Sequence, residues 1–188
     1  MVRYSASMTG TRPQCFIAGC PESGATWVQC LLDGHAVTGR PKIIHVIRDG
    51  RDAAVSAWEK LRRPGTGESV PTMAEYAETF AGHWIDFIEQ VRRSAATFDG
   101  EYLELRYEEL YRDTANEVTR LLEFTGIAVT PGVLHSCLER ATFQLGTVGD
   151  WRYRFDDETA FRFDAVAGYL LAELGYAEPT SAGLLRAA

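Results

Sequence analysis

The chain has 188 residues, 46% hydrophobic and 24% charged, which suits a single globular domain with a buried core. Its formal net charge of −7 provides no global field to attract nucleic acid or an anionic nucleotide, so any anion site must be built locally from arginines and backbone amides. Cys15, Cys20, Cys30 and Cys137 form no C-x-x-C pair, and His35, His45, His83 and His135 have no ligand spacing, so no metal site is expected. Free thiols and the lack of an apolar N-terminal run point to a cytoplasmic protein without signal peptide or membrane span.

Residues 1–13 are polar and turn-rich and read as a loose leader of the one domain, 1–188. Cys15 to Ala18 reads as a buried strand, and Thr26 to Asp33 as a helix stopped by Gly34. Lys42 to Ile47 is a continuous, largely β-branched run, the kind covered on both faces in a parallel sheet. Arg51 to Leu61 is helical and ends before Pro64, and the loop Arg62 to Pro71 carries Pro and Gly. Thr72 and Glu75 form a capping box, after which Tyr76, Phe80, Trp84, Phe87, Ile88 and Val91 recur at helical spacing. Glu101 to Arg106 alternates as a third strand, a helix from Thr114 to Phe124 closes on Gly126, and Phe161 to Leu174 is a final amphipathic helix. Strands alternating with helices predict an α/β fold, three-layered and P-loop-like, with a small, mainly parallel sheet flanked by helices.

The segment Phe16 to Trp27 carries the most specific signal. An apolar run enters a Gly-bounded loop that opens into a helix, so backbone N–H groups converge on one point, as a phosphate cradle requires. Gly19 to Thr26 fits the glycine spacing of G-x-x-x-x-G-K-[ST], but Ala25 stands where the lysine belongs. The loop can hold a phosphate yet lacks the group that reaches the terminal phosphates of ATP, which argues against a kinase or NTPase. Further along, Arg48 ends a strand and Ser56 lies in the second turn of the next helix, a placement in which guanidinium and hydroxyl can serve one phosphate.

Four segments in order resemble the PAPS-dependent, cytosolic-type sulfotransferases, here in a compact, bacterial-like form. Pro21-Glu22-Ser23-Gly24-Ala25-Thr26-Trp27 is similar to their 5′-phosphosulfate loop, Pro-Lys-Ser-Gly-Thr-Thr-Trp. The run Ile43 to Ser56 resembles the strand, Arg and Ser of the 3′-phosphate site. Tyr102 to Leu110 is similar to the strand ending in Tyr-Glu-Asp, and Gly146 to Arg152 resembles the Gly-Asp-Trp-Lys loop, followed by Phe161-Arg162-Phe163-Asp164. The resemblance implies that PAPS (3′-phosphoadenosine 5′-phosphosulfate), or its product PAP, is held by Ser23, Gly24, Ala25, Thr26, Trp27, Arg48, Ser56, Tyr107 and Gly146. Trp27 would stack on adenine, with a core tryptophan as the alternative; Tyr107 would approach the adenine or be a plain strand-end tyrosine. Asp150 and Trp151 would fix the closing loop, and Arg51 and Asp52 would cap and solvate their helix. The implied activity is transfer of a sulfuryl group to a hydroxyl or amine of a small-molecule acceptor, with no nucleic-acid or membrane partner and a possible homodimer.

The departures from the family pattern are as specific as the matches. Glu22 stands where the family has a cation, and Gln144-Leu145-Gly146 replaces Arg-Lys-Gly. At about 4 Å and an effective dielectric near 20, each unit of charge is worth on the order of 4 kcal/mol, an upper-end figure for a solvated loop. Only Gly34 to Pro41 joins the first helix to the second strand, where family members carry a long insertion with the catalytic histidine. His35 inherits the general-base role by position, while His45 is expected to be packed in its strand. The short connection also implies an acceptor side open to bulky molecules or completed by a second subunit through Arg62 to Pro71. A catalytically impaired PAP-binding module, or another chemistry on the same scaffold with Glu22 as base, is the alternative.

Overall fold

The computed structural model describes residues 15–62, 70–141 and 147–176. In chain order the elements are β1 (Cys15–Gly19), α1 (Ala25–Leu32), β2 (Lys42–Ile47), α2 (Gly50–Leu61), α3 (Met73–Ala96), β3 (Glu101–Arg106), α4 (Tyr107–Arg112), α5 (Thr114–Thr125), α6 (Pro131–Ala141), α7 (Trp151–Arg154) and α8 (Asp157–Glu173). The described residues fall into two compact units. One holds 15–48 and 90–141, the other 49–62, 70–89 and 147–176. The expected leader and most of the loop Arg62 to Pro71 lie outside the described residues, as does Gly146. No described helix is long and apolar enough to cross a membrane.

The first unit contains the sheet, with strands in the order β1-β2-β3 and both pairings parallel. The register sets Gly19 opposite Val46 and Val46 opposite Leu105, so all three strands end at one edge. The central strand β2 is covered along almost its whole length, as its apolar run predicts. Ile17, Ile44, Val46 and Leu105 share a core with Trp27, Val28, Leu31 and Leu32 of α1, Leu110 of α4, Val118, Leu121 and Leu122 of α5, and Cys137 of α6. In α1 those four positions repeat at i, i+1, i+4 and i+5, one stripe of a short helix. The helix α5 ends in a Schellman turn: Gly126 has φ 72°, Gly126 N–H donates to Glu123 C=O and Ile127 N–H to Leu122 C=O. The connection from α1 to β2 is tied there, since Thr38 N–H donates to Thr125 C=O at 3.1 Å.

His45 is fully buried, as expected, and starts a polar chain. Tyr102 gives its proton to Glu104 Oε1 at 2.7 Å, so His45 Nδ1, 2.8 Å from the Tyr102 hydroxyl, carries the proton of that contact. Arg92, in the last turns of α3, closes the chain with a two-pronged pair to Glu104 at 2.7 and 3.0 Å.

The second unit is helical. Asp49 caps α2 by accepting from Arg51 N–H, and Thr72 and Glu75 form the predicted reciprocal box at the start of α3. The final helix begins four residues earlier than its apolar pattern suggests, because the Asp156 carboxylate accepts from Thr159 N–H at 2.8 Å and makes Asp157 its first residue. Gly50 sits where a Cβ would lie 2.7 Å from Trp84 and 2.9 Å from Phe163, so only glycine admits both rings. Arg51 and Asp52, expected to solvate α2, are instead buried. The Arg51 guanidinium grips Asp49 with Nε and Nη2 and lies 3.8 Å from the centre of the Trp151 ring. Asp52 accepts from Gly149 N–H at 2.6 Å and Trp151 N–H at 2.9 Å, so a carboxylate takes two backbone donors that would otherwise compete for water.

Burial lowers the His45 pKa from 6.5 to about 4; Glu104 opposes that shift and Arg92 adds to it. The unfolded chain therefore takes up a proton below pH 6.5 that the fold refuses. The stabilisation is complete above pH 6.5 and falls as pH drops towards 4, by up to about 1.4 kcal/mol per pH unit. Urea midpoints measured between pH 7 and 5 should decline for the wild type and decline less for His45→Gln. Equal slopes would remove His45 as the source.

Candidate functional site

The first unit builds its candidate site where its strands end. The chain leaves β1 at Gly19, turns through Cys20 and Pro21 with Ser23 N–H bonded to Cys20 C=O, and enters α1 at Ala25. The first intrahelical bond runs from Val28 N–H to Gly24 C=O, so the N–H groups of Ala25, Thr26 and Trp27 precede it. No side chain caps this end. Those donors and the positive end of the helix dipole can hold an anion.

Two residues of the loop have left-handed backbone. Gly24 has φ 94°, which glycine adopts without cost. Glu22 has φ 65°, which costs a residue with a Cβ about 1–2 kcal/mol. Its carbonyl accepts from Arg48 Nη1 at 2.8 Å, linking the loop to the end of the next strand. The Ser23 hydroxyl is buried with no hydrogen-bond partner, and a Cβ on Gly19 would collide with it. A buried hydroxyl left open at the mouth of a helix suits a ligand oxygen, so the loop's chemistry fits a 5′-phosphate or phosphosulfate. Thr26, exposed on the first turn, offers a second hydroxyl.

Arg48 and Tyr107 join the loop. Arg48 is only 5% exposed, and its guanidinium lies 4.6 Å from the centre of the Tyr107 ring. Tyr107 is the first residue of α4, directly after β3, and is itself buried. Its ring packs on Gly24 and meets Trp27 edge-on at 5.4 Å. Sequence reasoning missed this stack, since no local pattern connects Arg48 with a tyrosine 59 positions away.

Other expected site residues lie elsewhere. Trp27 is 1% exposed and belongs to the core, so no ring face is open to a base; the α1 stripe it shares with Val28, Leu31 and Leu32 takes it inward. His35 follows the far end of α1 from the loop. The helix has eight residues, a rise of about 12 Å, and His35 Nε2 lies 3.8 Å from Cys137 Sγ. The structure does not bring His35 to the phosphate loop. Ser56 is half-buried in the second turn of α2, in the other unit. Lys42 is buried against Glu101 and the Phe124 ring, a structural use of a cation. Trp151 is held by its N–H bond to Asp52 and by the Arg51 guanidinium over its ring.

With this geometry in view, the comparisons assign the family. Residues 32–145 match the family described as Sulfotransferase domain, more than half of the chain, and the chain belongs to that family. The phosphate loop precedes the matched range. A 3-alpha-hydroxysteroid sulfotransferase of Cavia porcellus is 28% identical over 170 residues, covering 70% of this chain and 58% of that protein. Sulfotransferase 2A2 of Rattus norvegicus is 26% identical over 161 residues, covering 69% and 56%. This chain thus spans less than two thirds of the length of these relatives. Among solved structures, mouse sulfotransferase SULT7A1 complexed with PAP has a TM-score of 0.66 at 19% identity, over 85% of this chain and 87% of that one, a likeness that shows the fold. The small parallel sheet with its helices is the sulfotransferase fold.

Gly24 is where loop and ring meet. An alanine there would carry φ 94° and place its methyl 2.5 Å from Tyr107 Cδ2. Gly24→Ala should lower stability by about 1–3 kcal/mol. Gly132→Ala in α6, where a Cβ meets nothing within 4 Å, should be neutral or stabilising. Urea midpoints compare the two, and an unchanged midpoint for Gly24→Ala would contradict the packing described.

Proposed function

We propose that this chain is a sulfotransferase that takes PAPS as donor, releases PAP, and passes a sulfuryl group to a hydroxyl or amine of a small-molecule acceptor. The observation that carries the reading is the joining of an uncapped helix N-terminus to a buried arginine through the Glu22 carbonyl, in a chain of the sulfotransferase family. PAP, carried by the related mouse structure, is the ligand proposed here. PAPS supplies the activated sulfuryl group.

In this reading the N–H groups of Ala25 and Thr26 and the hydroxyls of Ser23 and Thr26 bind the 5′-phosphate. There they oppose the charge that gathers as the sulfuryl bond breaks. Arg48 takes the 3′-phosphate, and Ser56 is proposed as a nucleotide contact on its position in the family pattern alone. Gly146 is proposed at the same nucleotide on that basis. Four free cysteines support a cytoplasmic setting. With His35 beyond the far end of α1, Glu22 is proposed to accept the proton that leaves the acceptor.

Two measurements test the reading. Arg48→Ala should weaken PAP about tenfold to a hundredfold, since a charge-assisted pair contributes roughly 1.5–3 kcal/mol, and should barely affect adenosine 5′-monophosphate, which lacks the 3′-phosphate. Equal losses for both nucleotides would take Arg48 out of the site. Glu22→Lys restores the family's cation on the same backbone. With Glu22 as the base, the change should abolish turnover while PAP still binds; a rise in turnover or PAPS affinity would instead remove Glu22 as base and mark it as a poor stand-in for the family's cation. No change in either quantity would show that the loop does not hold the phosphosulfate.

A further inference from the structure

One ring in the first unit touches three parts of the site. The Tyr107 ring packs on the Cα side of Gly24, where an added Cβ would lie 2.5 Å from Cδ2 and 2.9 Å from Cε2. Its centre lies 5.4 Å from that of Trp27, edge to face, and 4.6 Å from Arg48 Cζ. The parallel register explains the meeting: Tyr107 lies two residues past Leu105 and Arg48 two residues past Val46, and those two residues are partners.

An arginine has a long, flexible stem and a charge that is costly to bury. Here Nη1 of the guanidinium donates to the Glu22 carbonyl, and the Tyr107 ring lies beside it. The carbonyl fixes one nitrogen, and the ring fixes the plane. Together they leave the guanidinium little freedom to turn, which is what selective binding of one phosphate requires.

We infer that Tyr107 is a positioning residue: its ring holds the Arg48 guanidinium in the orientation that recognises a 3′-phosphate, so selectivity for a 3′-phosphorylated nucleotide depends on Tyr107 without its touching that phosphate. The inference rests on the proposed function, in which Arg48 binds the 3′-phosphate. It differs from the adenine contact that family resemblance implies for Tyr107, because it acts through the arginine and its effect follows the 3′-phosphate rather than the base.

The test is the ratio of dissociation constants for adenosine 5′-monophosphate and PAP, measured by calorimetry on the full chain. Tyr107→Leu should lower that ratio about tenfold or more with Arg48 still present, the range of a desolvated cation–π contact. Tyr107→Phe, which keeps the ring, should retain it. Tyr107→Met fills the space without a π face and gives the same answer if leucine leaves the chain unfolded. Adding Arg48→Ala to Tyr107→Leu should cause little further loss of the ratio, because both changes remove one device. An adenine contact would instead weaken both nucleotides equally and leave the ratio unchanged. A wild-type ratio well above one that Arg48→Ala abolishes but Tyr107→Leu and Tyr107→Met preserve would overturn this inference alone, as would Phe falling as far as Leu. A wild-type ratio near one would overturn the nucleotide reading and the inference with it.

Discussion

The parallel register of three short strands is the constraint on which the site depends. With Gly19 opposite Val46 and Val46 opposite Leu105, the chain leaves β1, β2 and β3 at one edge. The turn after β1 becomes the loop of Glu22 to Gly24, the residue after β2 is Arg48, and the residue after β3 is Tyr107. Ligands of open α/β sheets bind outside the carboxyl ends of strands for this reason: parallel pairing gathers several loops where none has to complete the sheet. A one-residue slip of β2 against β3 would turn Arg48 and Tyr107 to opposite faces and dissolve the stack.

The site solves an electrostatic problem posed by composition. A chain with net charge −7 must concentrate positive potential locally to hold an anion. In the proposed site, backbone dipoles at α1 and Arg48 serve that purpose, while Lys42 and Arg92 are drawn into pairs with Glu101 and Glu104. Arg48 Nη1 donates to the Glu22 carbonyl, and its guanidinium lies against the Tyr107 ring.

Much of this was legible in sequence, and the misses have physical causes. The bounds of β2 and β3 follow from residue pattern, because a continuous β-branched run and a clean alternation each have one reading. The Thr72–Glu75 box and the Gly126 stop are local chemistry, so they too were readable. The helix α6 announces itself by Thr130 before Pro131, a cap followed by proline at the first turn, a signal the apolar pattern did not weigh. Six-residue α4 has no room for a period, and four-residue α7 has less. What no local pattern could give is long-range placement. Trp27 on adenine, His35 as base, and Arg51 and Asp52 in solvent were position-based readings. The structure gives each a neighbour from far along the chain: Tyr107 beside Trp27, Cys137 near His35, and Trp151 against the buried Arg51 and Asp52.

The central claim is that the end of β1, the uncapped start of α1 and Arg48 together bind a nucleotide with phosphates at both the 5′ and 3′ positions. A crystal structure of the full chain with PAP tests it most directly. The account predicts the 5′-phosphate within hydrogen-bond distance of the Ala25 and Thr26 amides and the Ser23 hydroxyl, the 3′-phosphate on Arg48, and Glu22 still in left-handed backbone with its carbonyl on Arg48. PAP seated away from this loop, or density for no nucleotide at a concentration that saturates the related sulfotransferases, would contradict it.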